Sequence, residues 1–163
     1  MKWDSRPIEI ANLLNPAFCA LLLRDAAKAY HDYEKTGMPY ILAFLLLPIA
    51  LHQRTCDAVP HQPTITFGQW IERNAEVTFG FADRTRTLNP LTKEAIIFGL
   101  QHGVLDIDTA GKLVPTSVSL EHPSSWDSDS VPSRCAMCAK NIGRWFAEVG
   151  DASTICRLLG VRP

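Results

Sequence analysis

The sequence predicts a mainly α-helical subunit with a central winged helix-turn-helix-like unit, whose wing is a small β-hairpin, and C-terminal helices. Three observations carry that prediction. Apolar residues after Asn15 recur mostly at threes and fours, Ile41 to Leu51 is apolar on every side, and three short helical patterns after Thr64 run directly into a hairpin pattern.

The first helix begins at Asn15-Pro16, where Asn caps and Pro suits the first helical position, and runs to a Gly37 stop. Phe18, Leu21, Leu22, Ala26, Ala29, Tyr30 and Tyr33 form its buried stripe, with Arg24, Asp25, Lys28, Asp32 and Lys35 largely on the other face. Upstream, Ile8 to Leu14 reads as a short helical turn packed beneath it. Ile41 to Leu51 reads as the central core helix, and His52 to Pro63, with Pro60 and Pro63, as an irregular connection.

Thr66 caps a helix over Phe67 to Asn74, a second helix follows from about Glu76 to Leu88, and Asn89-Pro90 breaks the chain before a third helix, Leu91 to His102. Val104 to Asp108, a Thr109-Ala-Gly111 turn and Lys112 to Pro115 then form the hairpin. In a winged helix-turn-helix, Asn89-Pro90-Leu91 is the turn and residues 104–115 the wing. Thr116 to Ser133, rich in Ser, Pro and Asp, reads as a surface loop with Trp126 as an anchor. A helix over about Arg134 to Val149, a Gly150-Asp151 stop-and-cap and a last helix, Ala152 to Leu159, complete the chain. The expected organisation is one domain over 1–163. It divides into core helices at 8–60, the winged-helix-like unit at 64–116, the loop at 117–133 and the C-terminal helices at 134–163.

Composition narrows the function. The 163 residues are 47% apolar and 20% charged, with 16 Lys+Arg against 17 Asp+Glu, which places the chain with soluble globular proteins and excludes a polycation that binds nucleic acid through bulk charge. The eleven-residue apolar run at 41–51 is too short to cross a bilayer, and Met1 to Pro7 leads into no apolar signal region, so a cytoplasmic protein is expected. Five cysteines, an odd number, are expected as reduced thiols packed in the core.

Cys135-Ala-Met-Cys138 has the spacing of half a zinc site or of a redox dithiol. The other candidate ligands, Cys19, Cys56, Cys156, His102 and His122, are isolated, which favours two thiols near the start of a helix, with zinc as the alternative. His31 reads as solvated and His102 as a residue capping the third helix. No Gly-rich phosphate cradle, Gly-x-Ser-x-Gly or His-Glu-x-x-His occurs, so no enzyme class and no cofactor is indicated. Residues 67–115 hold Arg73, Arg84, Arg86, Lys93 and Lys112 against Glu72, Glu76, Asp83, Glu94, Asp106 and Asp108, a net of −1. That balance favours protein docking over DNA reading, although a winged-helix DNA-binding regulator stays open as the alternative.

Several stretches are familiar in order and spacing. They are Ile8-Glu-Ile-Ala-Asn-Leu-Leu-Asn-Pro-Ala-Phe-Cys19, Gly37-Met-Pro-Tyr40, Leu45-Leu-Leu-Pro-Ile-Ala-Leu-His52, Gly80-Phe-Ala-Asp-Arg84 and Lys93-Glu-Ala-Ile-Ile-Phe-Gly-Leu-Gln-His-Gly103. Gly143-Arg-Trp-Phe-Ala147, Gly150-Asp-Ala-Ser-Thr-Ile155 and Leu159-Gly-Val-Arg-Pro163 continue the set. Together they resemble the small middle components of three-component ABC defence systems, over nearly the whole chain. The resemblance implies an antiviral assembly of the Lamassu type: an SMC-like ABC ATPase, a variable effector that is often a nuclease, and a non-enzymatic adaptor subunit linking them, with DNA reached through the complex. The nucleotide chemistry and the killing activity would belong to the other two subunits. Val118 to Arg134 departs from the pattern in being Ser/Pro-rich rather than charged. The expected partner-docking residues are Arg84, Arg86, Lys93 and Arg162.

Overall fold

The computed structural model describes residues 14–120 and 127–162. The expected turn over 8–14 therefore lies outside the described residues up to 13, as do the Trp126 anchor and Pro163.

The fold is mainly helical, with one two-stranded hairpin. Helix α1, Pro16–Glu34, starts as predicted: the Asn15 side chain accepts from the Ala17 amide at 2.8 Å and Pro16 takes the first position. It stops earlier than Gly37, because Lys35 takes the left-handed conformation (φ 62°) and its amide closes on the His31 carbonyl. Arg24 and Asp25 are not on a solvated face; each is only 7% exposed. The chain after the hairpin covers them, and the Arg24 guanidinium donates to the Val118 carbonyl. Helix α2, Tyr40–Ala50, is the predicted central element, with Leu42, Leu45, Leu46, Leu47 and Ile49 all buried. The next segment is not wholly irregular, since a six-residue helix α3 occupies Gln53–Ala58.

Thr66 starts helix α4, Phe67–Arg73, with a full capping box in which the Thr66 hydroxyl and the Gln69 side chain each accept from the other's backbone amide. Phe67 and Trp70 meet Trp145 and Phe146 in a buried aromatic cluster with ring centroids 5.3–5.8 Å apart. Both indoles also donate to backbone carbonyls, Trp70 to Ala58 at the end of α3 (2.8 Å) and Trp145 to Ile65 (3.0 Å).

The winged-helix expectation is corrected in its turn. Only a 3-10 turn, Ala75–Thr78, stands where a helix from Glu76 is predicted, and a left-handed Gly80 then launches one continuous helix α5, Phe81–Gln101. Asn89 and Pro90 lie inside that helix, so the chain has no helix-turn-helix there. An interior proline costs about 3 kcal/mol, because it removes one hydrogen bond and crowds the preceding turn. Pro90 faces solvent, where water can satisfy the freed carbonyl of Arg86, while Leu91, Thr92, Ala95 and Ile96 bury the other side of α5 against α1 and α2.

Strands β1, Leu105–Ile107, and β2, Leu113–Pro115, form the predicted hairpin, with Gly111 at φ 77° in its turn. It is docked rather than projecting: Met38 pairs across Leu113 through two backbone hydrogen bonds of 2.8 and 2.9 Å. Gly37 permits this approach, since a Cβ there would stand 2.7 Å from Lys112 Cβ.

Helix α6, Val131–Val149, begins one turn before the predicted Arg134, capped by Ser130. Gly150 ends it in the left-handed conformation, and Asp151 caps α7, Ala152–Leu158, at the Thr154 amide. The α1–α6 pair makes the most extensive contact in the fold. Among the described residues no helix is long and apolar enough to cross a membrane.

Candidate docking face and a buried thiol cluster

The four cations named from sequence have different fates. Arg84 is engaged in the fold: its guanidinium donates to the Phe79 carbonyl (3.1 Å) and the Val77 carbonyl (3.3 Å) and lies 5.4 Å over the Phe81 ring. It therefore ties the 3-10 turn to the start of α5, and desolvation holds its pKa below the ordinary arginine value. Arg86 and Lys93 are exposed, and a seven-residue spacing puts them on one face of α5. Arg86 pairs with Asp83 in an ion pair whose side chains are 74% and 82% exposed, so the pair adds little stability and remains open to a competitor. Arg162 is exposed on the tail after α7, beside Ser153 and Arg157. That helix packs chiefly on α6 and α2, so Arg162 does not join the α5 group.

One exposed apolar residue marks the same face: Ile97, 53% exposed, is one turn beyond Lys93. Phe79, 72% exposed, sits just before α5 and lines a cleft with His52, Arg54 and Arg84 instead. Asp83, Arg86, Pro90, Lys93, Glu94, Ile97 and Gln101 form a solvent-facing stripe with equal numbers of positive and negative charges. An apolar anchor within balanced charge suits a protein surface better than a phosphate backbone. His102 is the C-terminal cap residue of α5 and stacks on Phe98, with centroids 4.0 Å apart. His31 is half-buried.

Clefts flank the body. One of about 500 Å³ lies between α1 and residues 115–120, with Arg24, Asp25, Lys28, Asp32 and Lys140 in its walls. Another, of about 330 Å³, is lined by Pro48, Leu51, His52, Asp83, Arg84 and Leu88. His52 hydrogen-bonds Thr55 through Nδ1 at 2.7 Å. Burial, then the Arg84 and Arg54 charges, hold its pKa below the usual histidine value.

All five cysteines are buried free thiols. Cys135 and Cys138 lie one turn apart on α6, and α3, which carries Cys56, packs on the same helix. Cys56 Sγ also stands 3.7 Å from the Arg134 carbonyl oxygen, and Arg134 clamps α3 through a 2.7 Å ion pair with Asp57. Interaction with Cys135 and Cys138 pulls the Cys56 pKa down, while that same interaction and burial push theirs up. Burial alone raises Cys19 to about 12. Among the described residues no group of three or more His, Cys, Asp or Glu is arranged to hold a metal ion.

The familiar order of motifs is matched by a whole-chain finding. A family model described as ABC-three component (ABC-3C) system Middle Component 3 matches residues 3–163. The chain belongs to this family. No curated protein and no solved structure matches it. The stretches quoted above lie inside the matched span, so α5 and the docked hairpin are parts of the middle component itself rather than of an appended DNA-binding module.

Proposed function

We propose that this middle component is a non-enzymatic adaptor of the cytoplasm that holds an effector against an SMC-like ABC ATPase, in an antiviral assembly of the Lamassu type. The observation that carries the reading is the family match over residues 3–163, which makes the chain one part of a multi-component system. The outer face of α5 is the docking surface in this proposal, with Ile97 as its apolar anchor and Arg86 and Lys93 as orienting charges. Arg162 offers a second contact point. The winged-helix regulator has lost its basis, because its turn lies inside α5 and its wing is paired to Met38.

Co-expression with the products of the adjacent genes tests the adaptor. The expected result is a stable complex that survives gel filtration and is weakened at least tenfold by R86E/K93E/I97D, a variant with an unchanged melting temperature. A chain that elutes alone and shifts duplex DNA in a salt-dependent way overturns the reading.

A further inference from the structure

A cleft of about 340 Å³ opens between the start of α3, the 3-10 turn and the first residues of α5. Among the described residues its walls carry His52, Arg54 and Arg84 against a single acid, Glu76, with Phe79 beside them. Arg84 donates one N–H from each terminal nitrogen, to the Phe79 and Val77 carbonyls, which leaves the second hydrogen of each. His52 has Thr55 Oγ1 fixed at Nδ1, so Nε2 is the ring nitrogen left for a ligand. Arg54 is exposed and enters no ion pair among the described residues. The two guanidinium charges, after burial, already oppose protonation of His52, so an anion among them relieves a repulsion built into the cleft.

Phe79 adds the second half of the site. Its side chain is 72% exposed while its backbone is fixed at both ends: the amide donates to the Glu76 carbonyl at 3.1 Å, and the carbonyl accepts from Arg84. The exposed ring is therefore a feature of an ordered turn, set at the edge of a group of cations.

We propose that this cleft binds a single nucleotide unit, with its phosphate among Arg54, Arg84 and His52 and its base stacked on Phe79. The phosphate follows from charge, since Arg54 and Arg84 outnumber Glu76 and guanidinium N–H groups match phosphate oxygens. The base follows from the Phe79 ring, because every base has a π-face to stack on an aromatic side chain. Size sets the unit: about 340 Å³ is at the low end for a small-molecule site. Paired bases inside a duplex are stacked on one another and cannot reach Phe79, whereas a free nucleotide and the unpaired end of a strand present the same chemistry. The site uses none of Arg86, Lys93 and Ile97, so it stands apart from the adaptor reading.

Isothermal titration calorimetry of the full-length chain tests the proposal, with AMP, adenosine, inorganic phosphate, a 5′-phosphorylated single-stranded hexanucleotide and the matching duplex as probes. AMP should bind once per chain and at least tenfold more tightly than adenosine or phosphate. Phe79→Ala should weaken AMP at least tenfold and leave phosphate unchanged, while Arg54→Ala should weaken both about fivefold. Both side chains are exposed, so both variants should melt with the wild type. Glu76→Gln should tighten AMP about twofold, a gain that no folding defect produces. A hexanucleotide that binds more tightly than AMP assigns the site to strand ends, and AMP at equal or greater affinity assigns it to free nucleotides; either supports the site. Three results overturn it: no saturable binding of AMP or the hexanucleotide to the wild-type chain below about 1 mM, AMP binding that Phe79→Ala leaves unchanged, or duplex binding as tight as that of the hexanucleotide.

Discussion

Gly143 is where α1 and α6 come closest, and adding one carbon there should cost more than any helix preference returns. A Cβ at Gly143 would stand 2.7 Å from Ala26 Cα and 2.8 Å from Ala26 C, with the Ala26 carbonyl oxygen nearer still. Ordinary carbon contacts lie at about 3.5–4.0 Å, so the two helices must separate by about 1 Å. The obstacle is backbone, which cannot rotate aside as a side chain does. Overpacking of this kind costs about 1–3 kcal/mol, and occasionally more. The α1–α6 contact is the most extensive in the fold, so separating it puts Gly143→Ala at the top of that range. Replacing an interior helical Gly by Ala contributes about 1 kcal/mol in the other direction. The expected net loss is about 2 kcal/mol, a fall in Tm of ~4–8 °C for a chain of this size. Gly68, in α4, has open space where a Cβ would stand, with nothing within 4 Å, so Gly68→Ala should raise Tm slightly. Paired thermal melts by circular dichroism read both variants. A Gly143→Ala protein that melts at or above the wild-type temperature refutes the close-approach argument.

Arg84→Ala should destabilise by about 1–2 kcal/mol, because two carbonyls and the Phe81 ring lose a charged donor, whereas Arg86→Ala should stay within about 0.5 kcal/mol. Urea unfolding of the two variants distinguishes a structural cation from a solvated one. His52 makes stability depend on pH in one direction: its folded pKa is depressed, so its full contribution is present above the unfolded value of about 6.5. That contribution shrinks as pH falls from there through the folded value, while the unfolded chain takes up the proton first. Arg54 and Arg84 oppose protonation, and Glu76 and Asp83 line the same clefts. Melts between pH 7 and pH 5 should fall more steeply for the wild type than for His52→Gln; parallel curves would show that His52 is not the titrating group.

Elements with local determinants were readable in the sequence. Asn15-Pro16, Thr66 and Gly150-Asp151 each act within four residues, and each sits at the end of its helix as predicted. Asn89-Pro90 misled because its penalty is local while the compensation is not: α1 and α2 bury the opposite side of α5, which continues through the proline. Arg24 and Asp25 misled for a related reason, being covered by a segment more than ninety residues away in the chain. The expected docking residues were legible only as cations, and cation count could not separate Arg84, which the fold uses, from Arg86, which it leaves in water.

By itself the sequence determined the helical class, several caps, the hairpin turn and the family, all of which depend on residue types at short spacing or on their order along the chain. Only the tertiary structure decided that α5 is one helix, that the hairpin is docked on Met38, and that Cys56 reaches the Arg134 carbonyl on α6. The physical reason is common to all three. Each results from packing between segments far apart in sequence, whose energy outweighs or redirects the local preference and leaves no periodic trace in either segment.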